Sequence, residues 1–367
     1  MKRPVYNFGA GPAMLPVPVM KQVQEEFLDF NHLGASVIEI SHRGKDFEAL
    51  LAETDVLMRE LAELPENYEI LYIHGGAQML FSAVPLNLLG LQPSKKGLYV
   101  ETGNFAQIAR KEAEKFGQIE VVLSSEAGGF KEIPTLTPEL VDQSASYVHI
   151  TSNNTLYGTR YHRFPKTGSV PLVADMTSEI LSRKVDYSQF GMIYAGAQKN
   201  LGPSGIAVAF VRKDLIGHAP KNCPKLLDFK VYADNHSMAN TINTFAIYVM
   251  NLVLKWLKAE GGVGVLEQRN EAKAKRLYQA LDQSDFYSSV AHKDHRSSMN
   301  VCFNLPNETL LDRFVKEALA EGLYALKGHR AVGGARASIY NAMPMEGIEA
   351  LAQFMAEFER KNRQSTF

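Results

Sequence analysis

Between residues 69 and 211, short apolar runs alternate with amphipathic stretches, and this alternation constrains the fold more than any other feature of the chain. Glu69–Ile73, Gly97–Glu101, Glu120–Leu123, Tyr147–Thr151, Leu172–Asp175, Met192–Ala195 and Ile206–Val211 read as strands. Gln78–Leu89 and Ala106–Phe116 have helical spacing. Runs that are apolar at successive positions suit strands buried on both faces, and strands alternating with helices suit a parallel sheet with helices packed on each side. The expectation is an α/β fold with a mostly parallel sheet of the seven-stranded type. In such a sheet a ligand sits beyond the carboxyl ends of the strands.

The flanks differ. Residues 1–15, rich in Gly and Pro, read as an extended arm. Val17–Asn31 follows as a helix with Val19, Val23, Phe27 and Phe30 apolar, and Asp46–Leu64 as another. After Val263 the pattern changes: helices at Val265–Leu281, Leu310–Glu321 and Met345–Arg360, strands at Met299–Phe303 and Arg336–Tyr340. A chain of 367 residues is long enough for two domains. The expected division is an arm at 1–15, a large domain at 16–262 and a smaller C-terminal α+β domain at 263–367. No internal repeat is visible.

A net charge of −1 gives no electrostatic footprint for nucleic acid or an anionic membrane. Any anion site must be a local cluster. No run reaches the length of a membrane span and no apolar signal core follows Met1. Cys223 and Cys302 are far apart and form no metal or redox motif; two free thiols suit the cytoplasm.

Three features carry chemistry. The first is Lys199, which follows a strand at once in a Gly-rich loop. Taken alone it reads as a solvated lysine; buried in a crevice, its amine becomes a nucleophile. The second is Asp175, which ends the preceding strand. A carboxylate at the end of a buried strand is costly without a cation, and a protonated pyridine nitrogen is such a cation. The competing reading is a helix N-cap. The third is Gly75-Gly76-Ala77, a strand–glycine–helix junction that suits a phosphate, although a tight turn alone would also explain the glycines. Around these stand His42, Arg43, His329, Arg330 and Arg336, cations suited to carboxylates and phosphates. Arg336 lies in an apolar run, which implies an anionic partner. His292 and His295 have a metal-like spacing but no third ligand motif, and read as loop residues. Trp256, in a Leu/Val-rich helical stretch, reads as core.

These segments closely resemble the phosphoserine aminotransferases, a family of class-V, fold-type I pyridoxal-phosphate-dependent enzymes. The resemblance is carried by Asn7–Pro16, Ile40–Gly44, Tyr147–Thr155, Val173–Ser178, the Lys199 segment and Gly328–Met343, in order along nearly the whole chain. It implies a homodimer with shared active sites and pyridoxal 5'-phosphate as cofactor. The implied reaction passes an amino group between L-glutamate and 3-phosphohydroxypyruvate, giving O-phospho-L-serine and 2-oxoglutarate. Action on the phosphorylated four-carbon analogue in pyridoxal phosphate biosynthesis is implied as well. By the same resemblance, Lys199 is the Schiff-base lysine and proton carrier, and Asp175 pairs with the pyridine nitrogen. Gly76, Ala77 and Gln198 hold the cofactor phosphate, with Asn240 and Thr241 of the second copy. Thr155 contacts the ring oxygen and Phe105 stacks on the ring, where the family usually carries Trp. Arg336 takes the substrate α-carboxylate, and His42, Arg43, His329 and Arg330 surround the substrate phosphate or the side-chain carboxylate of glutamate. Gln78 stands where members carry Ser or Arg.

Two other classes fit parts of the pattern. One is a related small-substrate enzyme with the same cofactor, either a different aminotransferase or a desulfurase; a desulfurase needs a mobile reactive cysteine, and Cys302 sits in an apolar strand pattern. A phosphate-ligand binding module could use the fold without catalysis.

Overall fold

The computed structural model describes residues 5–363, so the first four residues of the expected arm and the last four of the chain lie outside it. The seven apolar runs form one seven-stranded sheet. Its spatial order is Tyr68–His74, Ile206–Arg212, Met192–Gly196, Leu172–Asp175, Tyr147–Thr151, Lys96–Glu101 and Gln118–Ser124. Every neighbouring pair is parallel except those made by Ile206–Arg212, which runs antiparallel to both of its neighbours. The reversal has a local cause. Only the short loop 197–205 separates Met192–Gly196 from Ile206–Arg212, and so short a link joins antiparallel neighbours. That loop carries Lys199.

Burial follows position in the sheet. All five residues of Tyr147–Thr151 are buried, whereas the edge strand Gln118–Ser124 has none fully buried and accommodates Glu120. Ala77–Leu88 and Asn104–Ala113 cover one face through a core that includes Leu80, Val84, Ala109, Tyr99, Val173 and Tyr194. Lys45–Leu61 and Thr244–Ala259 belong to the core on the other face, with Tyr72, Val148, Ala174 and Ile193. Trp256, on the latter helix, is partly buried against that core.

A second core gathers Leu277, Phe303, Phe314, Ile348 and Phe358 from the helices Gly262–Asp282, Glu308–Ala320 and Met345–Arg363 and the three-stranded antiparallel sheet of Ser288–Ser289, Asn300–Asn304 and Ala335–Ser338. The arm is anchored here. Tyr6–Asn7 pairs in parallel with Leu323–Tyr324, and Phe8 and Met14 enter the second core.

One expected element is shorter than its apolar spacing implies. The helix expected over Val17–Asn31 ends at Glu26, and Phe30–His32 forms a 3₁₀ turn with Asn31 at φ 51°. Asp29 Oδ1 accepts the Gly34 N–H at 2.7 Å, and the Phe30 N–H donates to Ala35 O at 2.9 Å. Turn-forming Asp, Asn and Gly override the periodicity there, while Phe30 still reaches the core.

Candidate active site

At the carboxyl ends of the parallel strands lies a cavity of about 370 Å³, within the usual range for a small-molecule site. Its walls come from distant parts of the chain: Gly75–Gln78, Phe105, Thr151–Thr155, Asp175–Ser178, Gln198–Lys199 and Gly11–Pro12 supply residues to it.

Lys199 is buried, at 8 % exposure, so the solvated-surface reading does not hold. Its loop is folded as a tight turn in which the Leu201 and Gly202 N–H groups both donate to Ala197 O. Lys199 Nζ donates to Thr155 Oγ1 at 2.5 Å and lies 5.8 Å from the centre of the Phe105 ring. Burial draws the amine down from 10.5 to about 7; the Asp175 carboxylate opposes that fall and the Arg336 guanidinium adds to it. An amine near 7 is partly unprotonated at neutral pH, which is what a nucleophile or proton carrier needs.

Asp175 stands opposite. Burial raises its carboxyl above the ordinary carboxylate range, against the pull of its Thr177 bonds and of Lys199. Its Oδ1 accepts the Thr177 N–H at 2.9 Å and closes a turn two residues on; no helix follows, so the helix N-cap reading does not hold. The carboxylate also lines the cavity, where an added cation would restore its ordinary acidity.

The glycine junction forms as the sequence suggests. Ala77 opens the helix, and Gly75 and Gly76 take φ 86° and 84°, a left-handed region that favours glycine. Nothing lies within 4 Å of the point where a Cβ would stand on Gly76, so space is open beside it and the helix start faces the cavity.

Of the other candidates, Ala77, Phe105, Thr155 and Gln198 line this cavity, while Arg336 acts on Lys199 through its charge without lining it. Arg336 has no ion pair among the described residues, and its Nε is buried without a hydrogen-bond partner. The anionic partner inferred from its apolar run is therefore not supplied by a described side chain. His42, Arg43, Asn240, Thr241, His329 and Arg330 are not brought to the cavity within one chain. Arg43, Thr241, His329 and Arg330 are exposed, and His42 Nε2 and Asn240 Oδ1 are buried without partners. His292 pairs with Glu132, and His295 Nδ1 accepts the Ile133 N–H.

Several cavity residues escaped the sequence reading. Thr177 Oγ1 accepts the Gly196 N–H at 3.1 Å and ties the ends of two adjacent strands. Asn153 donates to Ser178 Oγ and to Asn300 Oδ1, both at 2.8 Å. Their signal was polarity directly after a buried strand. Gly11 and Pro12 reach the cavity because the Ala13 N–H donates to Gln198 O at 2.8 Å; nothing local in a Gly/Pro arm reveals that long-range bond.

Residues 5–351 match the family model of the class-V aminotransferases. The chain belongs to that family. A phosphoserine aminotransferase of Bacillus cereus is 49 % identical over 359 residues, covering 98 % of this chain and 99 % of the relative. A solved phosphoserine aminotransferase from Bacillus circulans subsp. alkalophilus superposes with a TM-score of 0.94 at 46 % identity, covering 98 % and 99 % of the two chains. A phosphoserine aminotransferase from Trichomonas vaginalis, solved with its pyridoxal phosphate bound, gives 0.90 at 34 % identity over 96 % and 99 %. Within the class-V family, the chain falls among the phosphoserine aminotransferases.

Proposed function

We propose that this chain is a pyridoxal-phosphate-dependent transaminase that exchanges an amino group between L-glutamate and 3-phosphohydroxypyruvate, yielding O-phospho-L-serine and 2-oxoglutarate. The observation that carries the reading is a buried amine near neutrality and a buried carboxyl of raised pKa lining one cavity beside an open glycine junction.

The residues present fit the cofactor. Asp175 would hold a pyridinium nitrogen, Gly76, Ala77 and Gln198 the phosphate, Thr155 the ring oxygen, and Phe105 the ring face. The cofactor supplies an electron sink for the electrons released at the substrate α-carbon. Lys199 takes a proton at Nζ from that carbon and returns it on the other side of the exchange. Thr155 Oγ1, already bonded to Nζ, orients the amine. Asp175 keeps its charge by meeting a cation, and Arg336, unpaired by any described side chain, takes the substrate carboxylate. Changing Lys199 to Ala should abolish the glutamate-driven half-reaction and the visible absorbance change that accompanies it. Turnover retained by that variant would remove Lys199 from the mechanism.

A second copy of the chain completes the site in this reading. His42 Nε2 and Asn240 Oδ1 are buried without a partner among the described residues, and Arg43, Thr241, His329 and Arg330 are exposed where a second copy could meet them. Sedimentation should give a homodimer. Mixed dimers of Lys199→Ala and Asn240→Ala chains should recover part of the activity lost by each alone. A monomer with full activity contradicts the shared site. The cations proposed for the three-carbon substrate's phosphate serve the four-carbon analogue equally, and a side-by-side kinetic comparison tests that extension.

A desulfurase is disfavoured. No cysteine lines the cavity, and Cys302, buried with its Sγ 3.8 Å from Thr155 O, has its thiol pushed up to about 12. A binding module without catalysis gives burial of Lys199 no purpose.

A further inference from the structure

Lys273 lies in the helix Gly262–Asp282, away from the cavity, and is 2 % exposed. Its three hydrogen bonds all go to backbone carbonyls: Ile339 O at 3.0 Å, Tyr340 O at 2.8 Å and Met343 O at 3.0 Å. Burying a lysine is unfavourable, and a methionine would fill similar space without that cost. Burial draws this amine down to about 7 and the Arg269 charge adds to the fall; only the ammonium form has a proton for each of the three carbonyls.

The carbonyls belong to the turn between the strand Ala335–Ser338 and the helix Met345–Arg363, where Tyr340 O also accepts the Met343 N–H at 3.0 Å. That turn touches three parts of the site. Arg336 is the second residue of the strand leading into it. The Asn341 N–H donates to Asn200 Oδ1 at 3.1 Å, and Asn200 follows Lys199. Tyr340 OH donates to Ala10 O at 3.0 Å, beside Gly11 and Pro12. The Asn341 side chain is fixed from both ends, donating to Leu181 O and accepting from Asn270 Nδ2, and Asn270 lies one helical turn before Lys273.

We propose that Lys273 is a positioning residue: by gathering the three carbonyls it shapes the 339–343 turn, and through Asn341 and Asn200 that turn fixes the Arg336 strand and the Lys199 loop relative to each other. This rests on the reading that Arg336 and Lys199 serve the transamination site.

The test is Lys273→Met, studied both as the complete enzyme and as the cofactor-free chain. Hydrogen bonds to a charged donor each contribute enough that losing them should speed amide exchange in residues 199–202 and 336–343 about tenfold or more. In the enzyme, KM for glutamate should rise about tenfold with a smaller fall in kcat, because a displaced Arg336 weakens binding first. Asn200→Ala alone should reproduce both changes, and should add little in the Lys273→Met background. Unchanged exchange and KM with only a lower Tm overturn the proposal, as do fully additive effects. If Lys273→Met does not fold, Asn200→Ala decides by the same two measurements. Arg336→Lys separates the underlying reading: a normal KM in that variant refutes the role of Arg336, while the exchange measurement still judges the linkage.

Discussion

At the scale of single residues, the site depends on charges held away from water. Lys199 and Asp175 shift in opposite senses for the same reason, burial, and each moderates the other. In the cofactor-free chain, the pH dependence of Lys199 acylation by an amine-reactive activated ester should have its midpoint near 7. Asp175→Asn removes the charge that supports the ammonium form and should move that midpoint lower. Arg336→Gln removes a repelling cation and should move it higher. A midpoint unmoved by both changes contradicts the electrostatic account. In the sequence, Lys199 was one lysine in a glycine loop, and Asp175 at a strand end gave the better signal. A pKa is a property of surroundings, and the surroundings of Lys199 come from Thr155, Phe105 and Arg336, far away in the chain.

At the scale of elements, the glycine junction at the head of the helix Ala77–Leu88 has a definite requirement. Gly76 adopts φ 84°, and a side chain there adds backbone strain of roughly 1–2 kcal/mol. The space beside it is open, so Gly76→Ala should still fold, with a modestly lower Tm. The added methyl crowds the amides meant for the phosphate, and cofactor retained after dialysis should fall at least about tenfold. Full retention removes the junction from phosphate binding. Sheet strands were legible because each carries a run dominated by apolar residues: Tyr147–Thr151 and Leu172–Asp175 have the ends that the sequence implies. The antiparallel direction of Ile206–Arg212 was not legible, since an apolar run has no direction. The two-residue pairing of Tyr6–Asn7 with Leu323–Tyr324 was hidden for another reason: a strand that short has no period.

At the scale of the whole molecule, the buried amine couples the site to stability. The Lys199 ammonium is disfavoured by folding, so the unfolded chain binds more protons between pH 7 and 10.5, and stability rises with pH in that window. From pH 7 to pH 9 this residue should add about 2 kcal/mol to the cofactor-free chain. Urea unfolding of the cofactor-free chain and of Lys199→Met at both pH values checks it; equal slopes refute it. We propose a division between a large and a small domain at 262/263, where the sequence pattern changes. The helix that begins there contributes Val263 and Leu266 to the first core and Leu277 and Leu281 to the second, so the two are joined by a rod. The parallel pairing of Tyr6–Asn7 with Leu323–Tyr324 has a consequence for biosynthesis. The arm that brings Gly11 and Pro12 to the cavity leaves the ribosome before all seven strands of the large sheet, and its strand partner leaves after them. Until that partner emerges, Tyr6–Asn7 of the nascent chain lacks its strand pairing, and the arm's tie to the lysine loop rests on the Ala13 N–H bond to Gln198 O.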